Sequence, residues 1–411
     1  MPSELFERPA VGPAGPGRAS LPPLDFAGRL RALSEAVAEV GCDALVVTGL
    51  SNVRYLTGFS GSAGMVFVGP DGAVLVTDGR YEVSAKAEVA SSGARVEAVP
   101  AARQAELLGD LLSALPAGER RLGVEAEHIS WALKRRWAQG WAKSVELVPT
   151  SGLVEKLRRR KQPGELSRLA GAAAIADEAF ARTFSREGTF SREGMSSPEG
   201  MSRRAGFGQN VRASEVEVAT ELEADMRRLG AESAAFPTIV ASGAGGAEPH
   251  HRPDSRRLRA GDLVTVDFGA RWEGYCSDAT RTFVVGGASP VQPELARALS
   301  VVRASQEAGL KAVRAGVAAS WVDRSCREVV EAAGFGSFFV HGTGHGVGLD
   351  VHEAPSLAAT STDVIEAGQV VTVEPGVYLP GIGGARIEDT VVVTEDGYVP
   401  LTLAPKADLS G

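Results

Sequence analysis

Cysteine is scarce in this chain of 411 residues: Cys42, Cys276 and Cys326 lie far apart and form no Cys-x-x-Cys pair. That excludes a disulfide framework or a thiolate metal cage, and the three read as reduced thiols of a cytoplasmic protein. There is no excess of basic charge. The formal net charge is -8, which gives a nucleic-acid role no support. No apolar run approaches the roughly 18–20 residues of a membrane span. The first residues have neither a basic segment nor an apolar core, so no secretion signal is expected. Histidine is also rare, with six in the chain, but it is concentrated. His341, His345 and His352 share one stretch with Gly342, Gly344, Gly346 and Gly348. Such a segment is a poor core element and a good place to hold imidazoles near a metal or substrate.

What remains is ordinary globular material, 44% hydrophobic and 23% charged, long enough for two domains. Residues 1–23 are rich in Pro, Gly and Ala and read as a disordered tail. Residues 24–155 alternate helical and strand patterns, as in an α/β domain. Residues 26–40 have helical spacing, Ala44-Leu-Val-Val47 reads as a buried strand, and 51–64 read as a loop. Strands at 65–68 and 73–77 flank the turn signal Asp71-Gly72. The basic run 156–161 reads as a solvated helix end, with a domain boundary near 160 and a second domain over 160–411. There Pro163 and Gly164 open a helix, Ser214-Glu-Val-Glu217 is a capping box for another, and two more cover 293–314 and 320–333. Within 183–210, Thr183-Phe-Ser-Arg-Glu-Gly188 repeats outright as residues 189–194, with looser copies after it. Its apolar content is too low to bury a face, so it reads as a surface insertion.

The carboxylates carry the chemistry. Leu263-Val-Thr-Val-Asp267-Phe268 and Cys276-Ser-Asp278-Ala-Thr-Arg-Thr-Phe are strand patterns joined by a turn sequence. Pairing centred between Trp272 and Glu273 sets Asp267 opposite Asp278. Near the C-terminus, pairing centred on Gly381 sets Glu374 opposite Glu388. Directly opposed like charges are unfavourable unless something positive lies between them. Two acid hairpins with His345 offer four carboxylates and one imidazole, a set suited to Mn²⁺, Co²⁺, Fe²⁺ or Zn²⁺. Any one acid alone is more simply an exposed strand residue; the two pairs together with the histidine segment favour metal.

These pieces resemble the pita-bread metallopeptidases, the family of prolidase, aminopeptidase P and methionine aminopeptidase. The matching segments are Val266-Asp-Phe-Gly-Ala270, Ser277-Asp-Ala-Thr-Arg-Thr282, His341-Gly-Thr-Gly-His-Gly-Val-Gly348, Thr372-Val-Glu-Pro-Gly376 and Arg386-Ile-Glu-Asp389, in the family's order. Ser51-Asn-Val-Arg-Tyr-Leu-Thr-Gly-Phe59 and Thr77-Asp-Gly-Arg-Tyr81 resemble the amino-terminal domain of the proline-specific members and creatinase. The resemblance implies an α/β two-domain chain: a creatinase/prolidase-like α/β domain, then a duplicated α+β pita-bread catalytic domain. It implies metal ligation by Asp267, Asp278, His345, Glu374 and Glu388, with two divalent ions, Mn²⁺ first and Co²⁺, Zn²⁺ or Fe²⁺ as alternatives. It implies hydrolysis of the Xaa-Pro bond at the N-terminus of peptides or in dipeptides, and a homodimer as candidate assembly.

Under the same resemblance Glu374 also moves a proton, and His250 and His352 contact substrate. His341 and Arg386 support the site or bind the substrate's carboxyl end. Adjacent His251 is expected at the surface, His128 in a structural role, and Tyr378 in core packing. Thr280 and Thr282 either support Asp278 or serve only as strand residues. The competing readings are a non-catalytic binding protein of the same fold and a creatinase-like C–N hydrolase. The intact ligand set argues against both.

Overall fold

The computed structural model describes residues 6, 8–12, 15–18, 21–116, 120–185, 213–287 and 292–406. The chain divides into two compact units, residues 23–159 and residues 160–411 together with 1–22.

The unit of residues 23–159 is a six-stranded sheet in the order Arg95–Ala98, Gly72–Thr77, Gly64–Gly69, Ala44–Val47, Arg121–Glu125, Glu146–Thr150. Its outer pairings are parallel, and Gly64–Gly69 runs antiparallel to both of its neighbours. Gly69 pairs with Gly72, so the hairpin turns through Pro70 and Asp71, and Gly72 takes the positive φ of +115° that the tight turn demands. The segment expected as a loop at 51–64 is instead helical over Leu50–Thr57. Ser51 and Asn52 are turn formers by themselves. Burial of Asn52, Val53 and Leu56 overrides that preference, and Gly58 at φ +82° ends the helix. The run 156–161 is not wholly solvated either. Arg158 is buried and donates to Asn52 Oδ1 at 2.7 Å, and Lys161 pairs with Glu353 at 3.3 Å with both side chains buried. Around Asn52 a polar network links Glu125 (2.7 Å), Glu155 (2.6 Å) and, through Glu155, His128 (2.8 Å).

The second unit repeats one plan twice: two helices beneath antiparallel strands. In the first half, helices Pro163–Ser185 and Glu215–Arg228 pack Ile175, Phe180, Leu222 and Met226 against Val264, Val266 and Phe268. These belong to the sheet Ile239–Ser242, Leu263–Phe268, Ala279–Val284. In the second half, helices Pro293–Ala312 and Ala319–Ala332 pack Leu295, Val302, Val322 and Val330 against Val371, Val373, Val391 and Val393. Those strands lie in a five-stranded sheet ordered Glu353–Leu357, Gly344–Gly346, Val370–Val373, Asp389–Val393, Tyr398–Pro400. A bridge between Thr280 and Glu388 joins the halves. The capping box at Ser214 and Glu217 forms as expected.

Two expectations are revised. Within the amino-terminal segment expected to be disordered, Val11–Gly12 pairs with Gly15–Pro16. This segment has too few apolar residues for a core of its own, but it borrows one. Val11 and Leu21 pack on the first-half core, Pro16 is buried, and Arg8 pairs with Asp177 at 2.6 Å. Of the expected insertion, residues 183–185 are the last turn of helix Pro163–Ser185, and residues 186–212 lie outside the described residues.

Candidate metal and peptide-bond site

Strand register places the acids. Asp267 pairs with Thr280, not Asp278, because the hairpin turns at Glu273 (φ +50°) and Gly274 (φ +85°), one residue later than expected. Two successive positive-φ residues form the turn that matches strand twist, and Gly274 is where the chain tolerates it. Asp278 therefore sits diagonally from Asp267 on the same face, still within reach. The second hairpin keeps the expected register. Val373 pairs with Asp389 and Gly376 with Arg386, which sets Glu374 at the level of Glu388. The ladder breaks there, since Pro375 has no N–H. Glu374 and Glu388 form a non-hydrogen-bonded pair whose N–H groups point outward, Glu374 N donating to Thr343 O at 2.7 Å and Glu388 N to Thr280 O at 3.1 Å. The Glu388–Thr280 bond ties this hairpin to the first one.

The resulting cavity, of about 750 Å³, is lined by Asp267, Asp278, Glu374, Glu388, His250, His341, His345, His352 and Arg386, among others. The candidate residues from six separate stretches of sequence thus line one cavity. Asp278, His345 and Glu388 each offer a ligand atom within 4.8 Å of the others. His345 Nδ1 donates to Gly346 O at 3.0 Å, which directs Nε2 at Glu374 (3.2 Å) and Asp278 (3.7 Å). The ring of His352, an exposed residue, stands edge-on to His345 at 4.4 Å between centroids.

Arg386 braces the acids. It donates to Asp267 Oδ2 (2.7 Å), Thr280 Oγ1 (3.2 Å), Tyr378 Oη (2.8 Å) and Pro249 O (3.2 Å). Thr280 in turn donates to Glu388 Oε2 at 2.7 Å. His341 Nδ1 donates to Gly342 O at 2.7 Å, so its Nε2 accepts from the Tyr378 hydroxyl at 2.8 Å.

The charge balance is poor without a cation. Burial, then the charges of Glu388, Asp267 and Glu374, hold the Asp278 carboxyl well above the usual carboxylate range. Burial, then Glu374 and Asp267, do the same to Glu388. Burial also raises Asp267 despite Arg386. Glu374 differs: burial works to raise it, but the hydrogen bond and charge of His345 carry it below its ordinary value. Burial lowers His341, and burial with the charge of His345 lowers His352. Asp267 Oδ1 and Glu388 Oε1 are buried and have no hydrogen-bond partner among the described residues. Unpartnered carboxylate oxygens beside raised carboxyls, with one imidazole nitrogen aimed at them and no thiolate, fit hard divalent cations.

Residues 167–395 match the model of metallopeptidase family M24, and residues 29–160 match the creatinase/prolidase N-terminal domain. The chain belongs to family M24. It is 38% identical to an uncharacterized peptidase of Bacillus subtilis over 92% of this chain and 98% of that one. Its fold matches the Xaa-Pro dipeptidase from Bacillus anthracis with a TM-score of 0.82 and 35% identity, covering 93% of this chain and 99% of the other. It matches the X-Pro aminopeptidase from Thermotoga maritima with a TM-score of 0.76 and 31% identity, over 91% and 99% of the two chains. This M24 chain is a hydrolase of two-domain architecture, with the creatinase-type domain first.

Three features of the M24 unit differ from the sequence reading. Tyr378 is buried as expected of a core residue, but its hydroxyl is a relay between Arg386 and His341, and burial raises its pKa to about 12. Thr280 serves Glu388 and Arg386, while Thr282 accepts from Arg386 N (3.1 Å) and donates to Arg386 O (2.7 Å). His251 is not a free surface residue: its Nε2 lies 2.7 Å from the fully buried Glu215. A polar residue two positions from a site acid on the same strand face is a usable signal for Thr280. Tyr378 and Glu215 leave no such mark, because their partners come from remote segments.

Proposed function

We propose that this M24 hydrolase is a Xaa-Pro peptidase that uses two divalent cations, Mn²⁺ first, held by Asp267, Asp278, His345, Glu374 and Glu388. The observation that carries this reading is the convergence of four carboxylates and His345 Nε2 on one cavity, with Asp267 Oδ1 and Glu388 Oε1 left without donors among the described residues. Bound cations at such a site polarise the scissile carbonyl and make water nucleophilic near neutral pH.

The protein's own groups do the rest. Glu374 stays ionised and receives the proton released when water is activated, then returns it to the departing prolyl nitrogen. His352 is held neutral and, with His250, donates hydrogen bonds to substrate carbonyl oxygens. Arg386 already spends its donors on Asp267, Thr280, Tyr378 and Pro249, which supports a bracing role over capture of the substrate's carboxyl end. Phe236, Pro237, Val340 and Val351 give the cavity an apolar side suited to a prolyl ring. Cys42, Cys276 and Cys326, buried and in no disulfide, support placement in the cytoplasm.

The test is metal-free protein reloaded with Mn²⁺, Co²⁺ or Zn²⁺ and offered a Xaa-Pro dipeptide, a Xaa-Pro-Yaa tripeptide and a proline-free control. Cleavage before proline, dependent on added metal and absent with the control, is the expected result. The dipeptide-to-tripeptide ratio assigns dipeptidase or aminopeptidase. No turnover of any Xaa-Pro peptide with any of these metals would leave the non-catalytic binding protein as the better reading.

A further inference from the structure

His250 enters the cavity from a loop that is tied down on both sides, and one tie runs to a carboxylate outside the site. After strand Ile239–Ser242 and the turn Gly243–Ala247, the chain passes through Glu248-Pro-His-His251. On one side of His250, Pro249 O accepts from Arg386 Nη1 at 3.2 Å. On the other, His251 Nε2 meets Glu215 Oε2 at 2.7 Å. Glu215 has no exposed surface and sits in the first turn of helix Glu215–Arg228. Its Oε1 accepts from Ser242 N at 2.8 Å and from the Ser242 hydroxyl, and its Oε2 also accepts from Asp254 N at 3.3 Å. One buried carboxylate thus joins the strand end before the loop, the residue after His250, and the loop's exit.

The tie has the character of an ion pair. His251 Nδ1 faces Glu248 Oε2 at 3.4 Å, so both ring nitrogens look at carboxylates. Neutral imidazole donates from one nitrogen only, and imidazolium donates from both. Burial opposes charge on His251, but the hydrogen bond and charge of Glu215, then those of Glu248, overcome it and raise its pKa. Arg256 nearby is engaged elsewhere: it holds Asp262 at 2.8 and 3.0 Å, reaches the Ser242 hydroxyl, and donates its N–H to Asp254 at 2.6 Å. A fully buried carboxylate needs a cationic or multiply donating partner, and His251 is the partner from the substrate loop. Gly245 leaves room for it, since a Cβ there would stand 3.0 Å from the His251 ring. Gly246 packs on the strand of Arg386, where its Cβ would lie 3.0 Å from Gly384 N.

We infer that Glu215 and His251 are positioning residues that fix His250 against the substrate. This rests on the reading of His250 as a substrate contact. The experiment uses full-length protein carrying His251→Gln, Glu215→Gln, His250→Ala and the double change at 250 and 251. Metal content, kcat and KM on a Xaa-Pro peptide, and imidazole NMR of the metal-free protein are measured.

Misplacing a contact costs up to about 100-fold, so H251Q and E215Q are expected to lower kcat/KM by about 10- to 100-fold with metal content unchanged. In the H250A background H251Q should add less than about 2-fold, the non-additivity of residues that act through one another. With six histidines in the chain the imidazole signals are few enough to resolve, and H251Q should shift His250 while His128 stays put. Equal losses from H251Q with and without His250, or an unmoved His250 signal, overturn the inference. If E215Q does not fold, H251Q alone decides. If H250A keeps full activity, the substrate role of His250 falls, and the NMR shift still reports whether the tie exists.

Discussion

Asp278 is costly to the metal-free fold and is a proposed metal ligand. Burial and three neighbouring carboxylates raise its pKa well above the ordinary range, so an ionised Asp278 weakens the metal-free protein. Asp278→Ala should therefore abolish metal binding at its site and activity while leaving the metal-free melting temperature equal to or above that of the unchanged protein. Calorimetry in chelator, beside a metal assay, checks both halves, and full activity in the variant would sink the ligand assignment. At this scale the sequence was informative about residue type and poor about partners. The acids and His345 stand out as chemistry-bearing side chains in strand or glycine-rich contexts. The hydroxyl of Tyr378, the carboxylate of Glu215 and the burial of Lys161 do not, because each is defined by a group far away in the chain.

Among the elements, the glycine-rich strand Gly344–Gly346 shows why the small residues are there. A Cβ on Gly344 would fall 2.0 Å from Thr372 O, a backbone atom that cannot step aside, while Thr372 Oγ1 accepts from His345 N at 3.0 Å. Gly344→Ala should push the strand outward, cost about 1–3 kcal/mol of stability, and weaken metal binding through His345. Denaturant melts with and without Mn²⁺ measure this, and an unchanged midpoint together with unchanged metal affinity would remove the argument. Local pattern was enough for the capping box at Ser214 and for the register about Gly381. It was not enough for the turn at Glu273 and Gly274, where a one-residue ambiguity moves a carboxylate from directly opposite to diagonal. Nor was it enough for helix Leu50–Thr57, whose turn-forming start is overruled by burial.

For the whole molecule, the crowded acids link stability, pH and metal. Asp278 and Glu388 have raised pKa values in the metal-free fold, so the folded chain holds protons that the unfolded chain has released. Metal-free stability should then fall as pH rises from the ordinary carboxylate range toward those raised values. Over the same window metal affinity should rise, because cations displace those protons. Added Mn²⁺ at about 1,000 times its dissociation constant would stabilise by about 4 kcal/mol. Melting curves across pH, in chelator and in Mn²⁺, should cross from proton-stabilised to metal-stabilised as pH increases. Parallel curves at all pH values would count against the site.

The sequence by itself determined the two-domain α/β plan, the acid-bearing strands and the glycine-rich histidine segment. Those depend on periodicity, turn residues and side-chain type, all local properties. Only the tertiary structure decided which groups meet. His345 Nε2 lies between Glu374 and Asp278, the bridge from Thr280 to Glu388 joins the two halves of the site, and Arg386 ties one hairpin to the other. It also placed His250 between two anchors. Each depends on backbone and side-chain groups that come from distant segments, and such meetings are fixed by packing and register, not by local pattern.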